Sequence, residues 1–335
     1  MRFTSWFRRV KVNRMLTSMV PGLLIFCGCV SNVPKSIGRL REVTIITDYW
    51  HQVGQTVESI LAQPVPTPQP EPEFLLRVGG FDRFWDYSKL RIVFIIGTAQ
   101  DSIIRGILEA RADSLGETGF NLFRFPNAWV GNQQVLVFVA LDSSKLIQGL
   151  NTYAQRLRKT VTEFVFDQMT RATYLRNRDE ELSNRIAEHY GFRLDVPKNW
   201  LLNENDSAGY FIYIYGHYPD RSVFIFWQDS VYPLIGDSIL NLRDRLTRRF
   251  YDGDTADRGL VLVDTVEFLG VPALRIRGVW QNQKQVIGGP FVLYAFNYQE
   301  RFFLLDGVVF NPSEKKLSNL FQVEAIIRTF VPVTG

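Results

Sequence analysis

Two cysteines, three histidines and no apolar stretch of membrane-spanning length deprive this 335-residue chain of several kinds of chemistry. Both cysteines, Cys27 and Cys29, lie close to the N-terminus, so the rest of the chain has none with which to form a disulfide. Its fold is expected to rest on its core alone. The histidines, His51, His189 and His217, are too far apart in sequence to make a helical or hairpin metal pair. A glycine-rich phosphate loop and a dinucleotide fingerprint are both missing. So is a surplus of charge in the body. Arg2, Arg8, Arg9, Lys11 and Arg14 face no acid within the first 28 residues, and without them the net charge of +4 falls to −1. A nearly neutral body has no basic footprint for a nucleic-acid backbone. With 46% hydrophobic and 21% charged residues, the chain is globular and neither disordered nor collagen-like.

What is present begins with an address. After the basic start, Met15 to Phe26 forms an apolar run of 12 residues, interrupted by Pro21 and Gly22. That suits a signal-peptide core and falls short of the roughly 20 residues a spanning helix needs. Gly28-Cys29 follows, then the polar Val30-Ser31-Asn32. A small residue before a cysteine, just past an apolar core, resembles the bacterial lipoprotein box. The resemblance implies that the Cys29 thiol receives diacylglycerol and that residues 1–28 are removed. Cys29 fits better than Cys27, which would place bulky Phe26 where a small residue belongs. Two or three acyl chains hold a protein at a bilayer more firmly than one.

After a tether over 29–40, the β-branched run Arg41–Thr47 reads as a strand and residues 51–63 as a helix. The segment Pro64–Pro72 holds five prolines in nine residues, which forbids helix and central strand and implies an extended connector. Strands are expected at Phe74–Val78, Leu90–Gly97 and Val135–Leu141, and a helix over Ser102–Leu115. From Ser143 a long helical stripe runs on until the charge cluster Arg176–Glu181 breaks it. These patterns suggest an α/β N-terminal domain over 41–184 and an α+β C-terminal domain over 185–335. In the latter, strands are expected at Phe192–Pro197, Tyr210–Tyr215, Val223–Trp227, Gly259–Phe268, Val271–Trp280, Phe291–Tyr298 and Phe302–Phe310. Helices are expected over Ser238–Phe250 and from a Ser313 cap to near Phe330. The whole reads as α+β, with antiparallel sheets flanked by helices. The opening of the second half, Gly191–Trp200, resembles the first strand of the Mog1/PsbP-like sandwich.

Three constellations invite chemistry. Gly236-Asp237-Ser238-Ile239 looks like a GDSL-type nucleophile block, but no histidine follows His217 to act as its base. Asp237 or Ser238 is instead expected to cap the following helix. Asp252-Gly253-Asp254 with Asp257 offers hard oxygens for calcium, without the closing Glu of a calcium loop. Six tryptophans of the body offer stacking faces for sugars or peptides, although burial is the commoner use. No metal and no cofactor are expected.

Several stretches together resemble one family. They are the lipoprotein box, Gly38-Arg39 before Glu42-Val43, Trp50 with Gly54, and Pro68–Pro72 with Phe74. The later and more specific block is Arg277-Gly278-Val279-Trp280, then Gly288-Gly289-Pro290-Phe291, then Asn311-Pro312. The combination is similar to the bacterial lipoproteins grouped as domain of unknown function 4837, over nearly the whole mature chain. Ile287 departs from the Met expected before the glycines. The resemblance implies a cell-envelope lipoprotein and transfers no catalytic residue. Alternation puts Leu274, Ile276, Gly278 and Trp280 on one face of their strand and Arg275, Arg277 and Val279 on the other. The hairpin of Arg277, Trp280, Gly288, Gly289, Pro290 and Phe291 is then either structural, with Arg277 dispensable, or the lining of a ligand cleft.

Two functions fit. One is a non-enzymatic envelope lipoprotein, anchored to the bilayer, that binds or scaffolds another envelope protein or a glycan. The other is a hydrolase or glycan-active enzyme with an unrecognised carboxylate pair, which a cleft gathering acids and aromatics would favour. The address is directly testable. Mass spectrometry of the mature N-terminus is expected to find an acylated Cys29 and nothing preceding it; a free Cys29 thiol would refute the reading.

Overall fold

The computed structural model describes residues 33–113, 115–204, 210–251 and 253–333. The signal segment, Cys29 and Asp252 lie outside them. The first part of the chain runs β1 (Glu42–Ile46), α1 (Trp50–Leu61), β2 (Pro64–Val65), β3 (Glu71–Pro72), β4 (Leu75–Gly79) and α2 (Phe84–Tyr87). It continues through β5 (Ile92–Thr98), α3 (Ser102–Leu108), β6 (Phe120–Pro126), β7 (Gln134–Ala140) and α4 (Leu146–Thr173). Then come α5 (Glu180–Tyr190), β8 (Phe192–Arg193), β9 (Leu201–Asn203), β10 (Phe211–Gly216), β11 (Asp220–Gln228) and α6 (Gly236–Phe250). The chain ends with β12 (Thr255–Phe268), β13 (Val271–Asn282), β14 (Ile287–Tyr298), β15 (Arg301–Phe310), α7 (Leu317–Ile327) and β16 (Val331–Pro332).

Two units result. The first comprises residues up to Arg39, Val43–Thr56 and Arg77–Ala154; the second comprises Leu40–Glu42, Val57–Leu76 and Gln155–Gly335. The division falls inside α1 and α4, whereas the sequence pattern suggested a break near residue 185. The charge cluster at 176–181 marks the junction of α4 and α5, as expected of a break between two helices. In the first unit a five-stranded sheet has the order β4-β1-β5-β7-β6. β1, β5 and β7 run parallel, and β6 lies antiparallel on β7. Every residue of β5 and β7 is buried, which is why both strands read as unbroken apolar runs. β6 escapes sequence detection because its apolar residues, Phe120, Leu122, Phe123 and Phe125, keep no strict alternation and it ends in Pro126. The helix expected to reach Leu115 stops at Leu108, where Glu109 takes a positive φ of 52° and a 3₁₀ turn follows.

The second unit is built on a seven-stranded sheet in the order β12-β13-β14-β15-β11-β10-β9, antiparallel throughout. It is α+β, as its strand and helix pattern implies. Leu274, Ile276 and Trp280 do share one face, and they pack with Ile239, Leu242 and Leu246 of α6, whose apolar stripe explains its place there. The other face receives α7, seven of whose eleven residues are buried hydrophobics.

Neither helix is capped as the sequence suggested. α6 begins at Gly236, with Ile235 as its N-cap and no side-chain cap bond, so Asp237 and Ser238 lie inside the first turn. α7 is capped from 245 residues away. Glu71 Oε1 accepts the Lys316 amide at 2.7 Å and the Leu317 amide at 3.2 Å, a role sequence reading gave to Ser313. Glu71 belongs to the proline segment. β2 and β3 pair there as a small antiparallel ladder, with Val65 and Thr67 buried. The expected connector thus carries a paired ladder and two buried side chains.

Beneath α7 lies a buried ionic cluster. Glu73 Oε1 accepts Arg277 Nη1 at 3.0 Å, and Arg158 holds its other oxygen. Glu324, on α7, accepts the Tyr294 hydroxyl at 2.7 Å and meets Arg328 at 3.3 Å and Arg275 at 3.5 Å. Burial alone would raise the Glu324 carboxyl, but Arg328, Arg275 and Arg277 outweigh it and hold it below its ordinary value. A depressed carboxyl contributes stability above its unfolded value of 4.5, and that stability is lost as pH falls. Glu324→Gln should therefore cost about 3–5 kcal/mol at neutral pH, because it leaves buried arginines uncompensated. Denaturant titrations across pH should show the gap between the two proteins closing below about pH 4.5.

Candidate functional site

Antiparallel pairing brings the ends of β10, β13 and β15 to one end of the second sheet, beside the starts of β11 and β14. The pairing Tyr215↔Ser222 puts Tyr213, Tyr215 and Ser222 on the face that α6 covers farther along. Trp280, Val308 and Phe310 arrive on the same face from β13 and β15. Past the end of α6 these side chains surround a cavity of about 240 Å³, completed by Tyr251, Asp254 and Ile287. The tight turn at its rim supplies His217 and Asp220, whose Nδ1 and Oδ1 lie 2.7 Å apart.

The cavity is aromatic with polar points. Tyr213 lies 5.6 Å from Tyr215 and 5.3 Å from Tyr251, ring centre to ring centre, and Trp280 lies 6.2 Å from Phe310. The Tyr251 hydroxyl donates to Ser222 Oγ at 3.1 Å, and burial pushes its pKa up, so it remains a donor. Asp254 Oδ1 accepts Asn282 Nδ2 at 2.8 Å. Deeper under α6, Arg243 Nε donates to Asp306 Oδ2 at 3.0 Å, both fully buried, with the guanidinium 4.0 Å from the Phe291 ring centre. Burial pushes the Asp306 carboxyl up to about 6, and Arg243 limits the rise. Among the described residues no group of three or more His, Cys, Asp or Glu is placed to hold a metal. Asp257, one of the hard-oxygen candidates, is turned onto the amide of Gly259.

The sequence-derived hairpin is split by this geometry. Trp280 is 5% exposed, lines the cavity, and donates from Nε1 to the Val309 carbonyl at 3.3 Å. A Cβ on Gly289 would stand 2.0 Å from the Val309 oxygen and 3.0 Å from Trp280 Nε1; one on Gly288 would stand 2.6 Å from the Trp280 oxygen. Both glycines are thus required for close packing, and neither takes a positive φ, so it is the missing side chain and not backbone freedom that is used. Pro290 and Phe291 are buried in β14. Arg277 points the other way, into the α7-side cluster at 5% exposure, and so does not join the glycines around a ligand. That buried pairing replaces the expected dispensability of Arg277 with an expected cost on its removal. The residues missed were Tyr213, Tyr215, His217, Asp220, Ser222 and Tyr251. The available signal was the polar-tipped aromatic alternation Tyr213, Tyr215, His217 running into a Tyr-Pro-Asp turn.

Comparison with known proteins divides the chain in two. Residues 179–329 match a family described as a domain of unknown function, DUF4837. Residues 36–173 match a different family, also described as a domain of unknown function, DUF8532. The resemblance expected over nearly the whole chain is therefore confined to the DUF4837 segment; the features from Gly38 to Phe74 fall in the other family. No curated protein matches the chain.

Among solved structures, the chain is similar to a Bacteroides thetaiotaomicron protein, with 12% identity and a TM-score of 0.27, over 42% of this chain and 45% of that one. It is similar to the PsbP protein CyanoP of Synechocystis, with 9% identity and a TM-score of 0.31, over 42% of this chain and 86% of that one. It is also similar to the Saccharomyces cerevisiae Ran-binding protein Mog1p, with 10% identity and a TM-score of 0.29, over 43% and 90%.

The cavity wall and the ionic cluster make opposite demands on the DUF4837 segment. Trp280→Ala should cost about 3–5 kcal/mol, since it removes a buried aromatic. Arg277→Ala should cost about 3 kcal/mol, near the low end for breaking a buried ion pair, because Arg158 still holds Glu73. Chemical denaturation of both variants measures this, and a neutral Arg277→Ala would show that the cluster carries no stability.

Proposed function

We propose that this protein is exported and held in the bacterial cell envelope, on the periplasmic or outer-membrane side, by acylation of Cys29. Its DUF4837 segment acts there as a non-enzymatic binding module that recognises an envelope glycan. The observation that carries this reading is the cavity bounded by Tyr213, Tyr215, Tyr251, Trp280 and Phe310 and edged by Asp220, Ser222 and Asp254. A sugar ring presents C–H bonds on its faces and hydroxyls around its rim. Aromatic walls with a few placed polar groups match both, and a rigid apolar pocket with convergent polar points is the general form of a small-molecule site.

A second reading draws on the same grouping. Acids and aromatics in one cleft also suit a glycan-active enzyme, with Asp220 and Asp254 as the carboxylate pair. Asp220 faces His217 and Asp254 faces Asn282, which occupies both with neighbours in the resting protein.

One experiment separates these readings. Titration of the protein with monosaccharides, followed by tryptophan fluorescence and by NMR of the sugar, is expected to show binding without product formation. Tyr215→Ala, at a half-buried wall position, should weaken that binding by about tenfold or more while leaving the fold intact. Turnover that is abolished by Asp220→Asn or Asp254→Asn would establish the enzyme; failure of every sugar to bind would refute the module.

A further inference from the structure

The α7 face of the second sheet holds a space built on different chemistry. Tyr215 pairs with Ser222 and Gly216 with Arg221, and successive residues of a strand point to opposite faces. Ser222 faces the α6 side, so Arg221 turns to the α7 side, where its Nη1 donates to Gln322 Oε1 of α7. Beside it, the end of α4, the turn at 197–200 and the turn at 216–221 border a cavity of about 390 Å³. The first two walls are joined through the backbone, the Lys198 amide donating to the Asn177 carbonyl at 3.2 Å. Trp200 supplies a further wall, with the Arg221 guanidinium 5.6 Å from its ring centre.

Its charges do not balance. Arg176, Lys198 and Arg221 line the cavity, and no Asp or Glu does. Lys198 is answered from outside the wall by Asp179 at 3.1 Å. Arg221 has only neutral acceptors: the Pro219 carbonyl at 3.0 Å, the His217 carbonyl at 3.4 Å and the Gln322 amide. Its neighbour Asp220 is engaged by His217 Nδ1 at 2.7 Å. Burial pulls the Arg221 pKa down and Asp220 only partly opposes it, the behaviour of a cation short of a counter-ion. Arg176 is exposed and pairs with no described residue. Two guanidinium charges thus border one cavity without a carboxylate for either.

From this imbalance we infer that the cavity binds a phosphomonoester, with its phosphate held between Arg176 and Arg221. A phosphomonoester carries about −1.5 to −2 charges at neutral pH, which matches two unanswered guanidiniums, whereas a carboxylate would neutralise one. The planar fork of arginine also suits phosphate oxygens better than a point charge does. The space exceeds what a phosphate alone needs, since small-molecule sites run from about 300 to 1,000 Å³. The side chains of Asn177 and Asn199 line the same wall and bond to no described residue, so their amides are open to the hydroxyls of a polar alcohol carrying the phosphate. The inference does not rest on the glycan reading, whose aromatic walls lie on the α6 face.

The test is a calorimetric titration of the full chain with glucose 1-phosphate, glucuronate and glucose, which carry two, one and no negative charges on the same ring. Glucose 1-phosphate should bind about tenfold or more tightly than either of the others. Arg176→Glu and Arg221→Gln should each erase that advantage. Arg221 also pins its turn, so a melting curve accompanies both variants; Arg176 is exposed, and its variant keeps the test decisive if the other unfolds. Any glucose that binds in the aromatic cavity should do so equally in the Arg176→Glu protein, which separates the two sites. Sedimentation with phosphatidylcholine vesicles, with and without phosphatidic acid, identifies the source of the phosphate. Extra sedimentation with phosphatidic acid that glucose 1-phosphate displaces assigns a lipid headgroup, and binding of the soluble ester alone assigns a free one. Equal affinity for the three sugars, or a phosphate preference that survives Arg176→Glu, would overturn the inference.

Discussion

A guanidinium taken out of water must meet a carboxylate, and in the second unit that requirement joins residues 204 positions apart. Arg277 sits on a strand whose two faces are both covered, so its charge is buried whichever way the helices pack. The carboxylate that meets it, Glu73, lies 204 residues earlier, directly after the proline segment. Two positions before it, Glu71 spends its charge on the open amides of α7. Prolines cannot propagate a helix or join the middle of a sheet, so this segment stays extended, which lets it deliver Glu71 and Glu73 to separate partners. The same rule recurs under α6, where Arg243 and Asp306 are fully buried against the Phe291 ring. One sheet thus carries a buried ion pair on each face.

Much of this architecture was legible in the sequence and its key contacts were not, for one physical reason. Periodicity reports which face of an element is apolar. It places α6 and separates Trp280 from Arg277 on β13, because both follow from spacing within one element. It fails where a partner comes from far along the chain. Ser313 and Ser238 were plausible caps, since cap residues are usually local. The structure satisfies α7 with Glu71 and starts α6 at Gly236 instead. The dispensability expected of Arg277 has the same source. An arginine alternating with apolar neighbours normally faces solvent, and nothing near it in sequence announces Glu73. β6 was lost differently, because its three Phe and one Leu fall on both faces and no alternation announces a strand.

The candidate site was half legible. Trp280 and the glycines stood out because they are unusual residues close together, and the structure ties Trp280 and Gly289 to the Val309 carbonyl and Gly288 to the carbonyl of Trp280. The cavity they border is assembled from β10, β11 and the stretch after α6, whose tyrosines looked like ordinary strand residues. Aromatic alternation is common in half-buried strands, so Tyr213 and Tyr215 gain meaning only from Tyr251 and Trp280 opposite them.

Why the cavity lies at the end of the sheet follows from the lengths of its cover. α6 is 15 residues, and at 1.5 Å per residue it spans about 22 Å. β13 and β14 are each 12 residues, and at about 3.4 Å per residue they span about 40 Å. A helix of that length cannot cover the whole strand face, so part of the apolar surface must be closed in another way. Tyr251 and Asp254, following α6, turn over the exposed end, and Tyr213 and Trp280 meet them from below, leaving a shaped space. The strands that form its floor are held in place by the Arg243–Asp306 pair on one face and the Arg277–Glu73 pair on the other. A pocket whose walls are fixed by buried charges loses little entropy when it is filled, which is the condition for selective binding by so small a cavity.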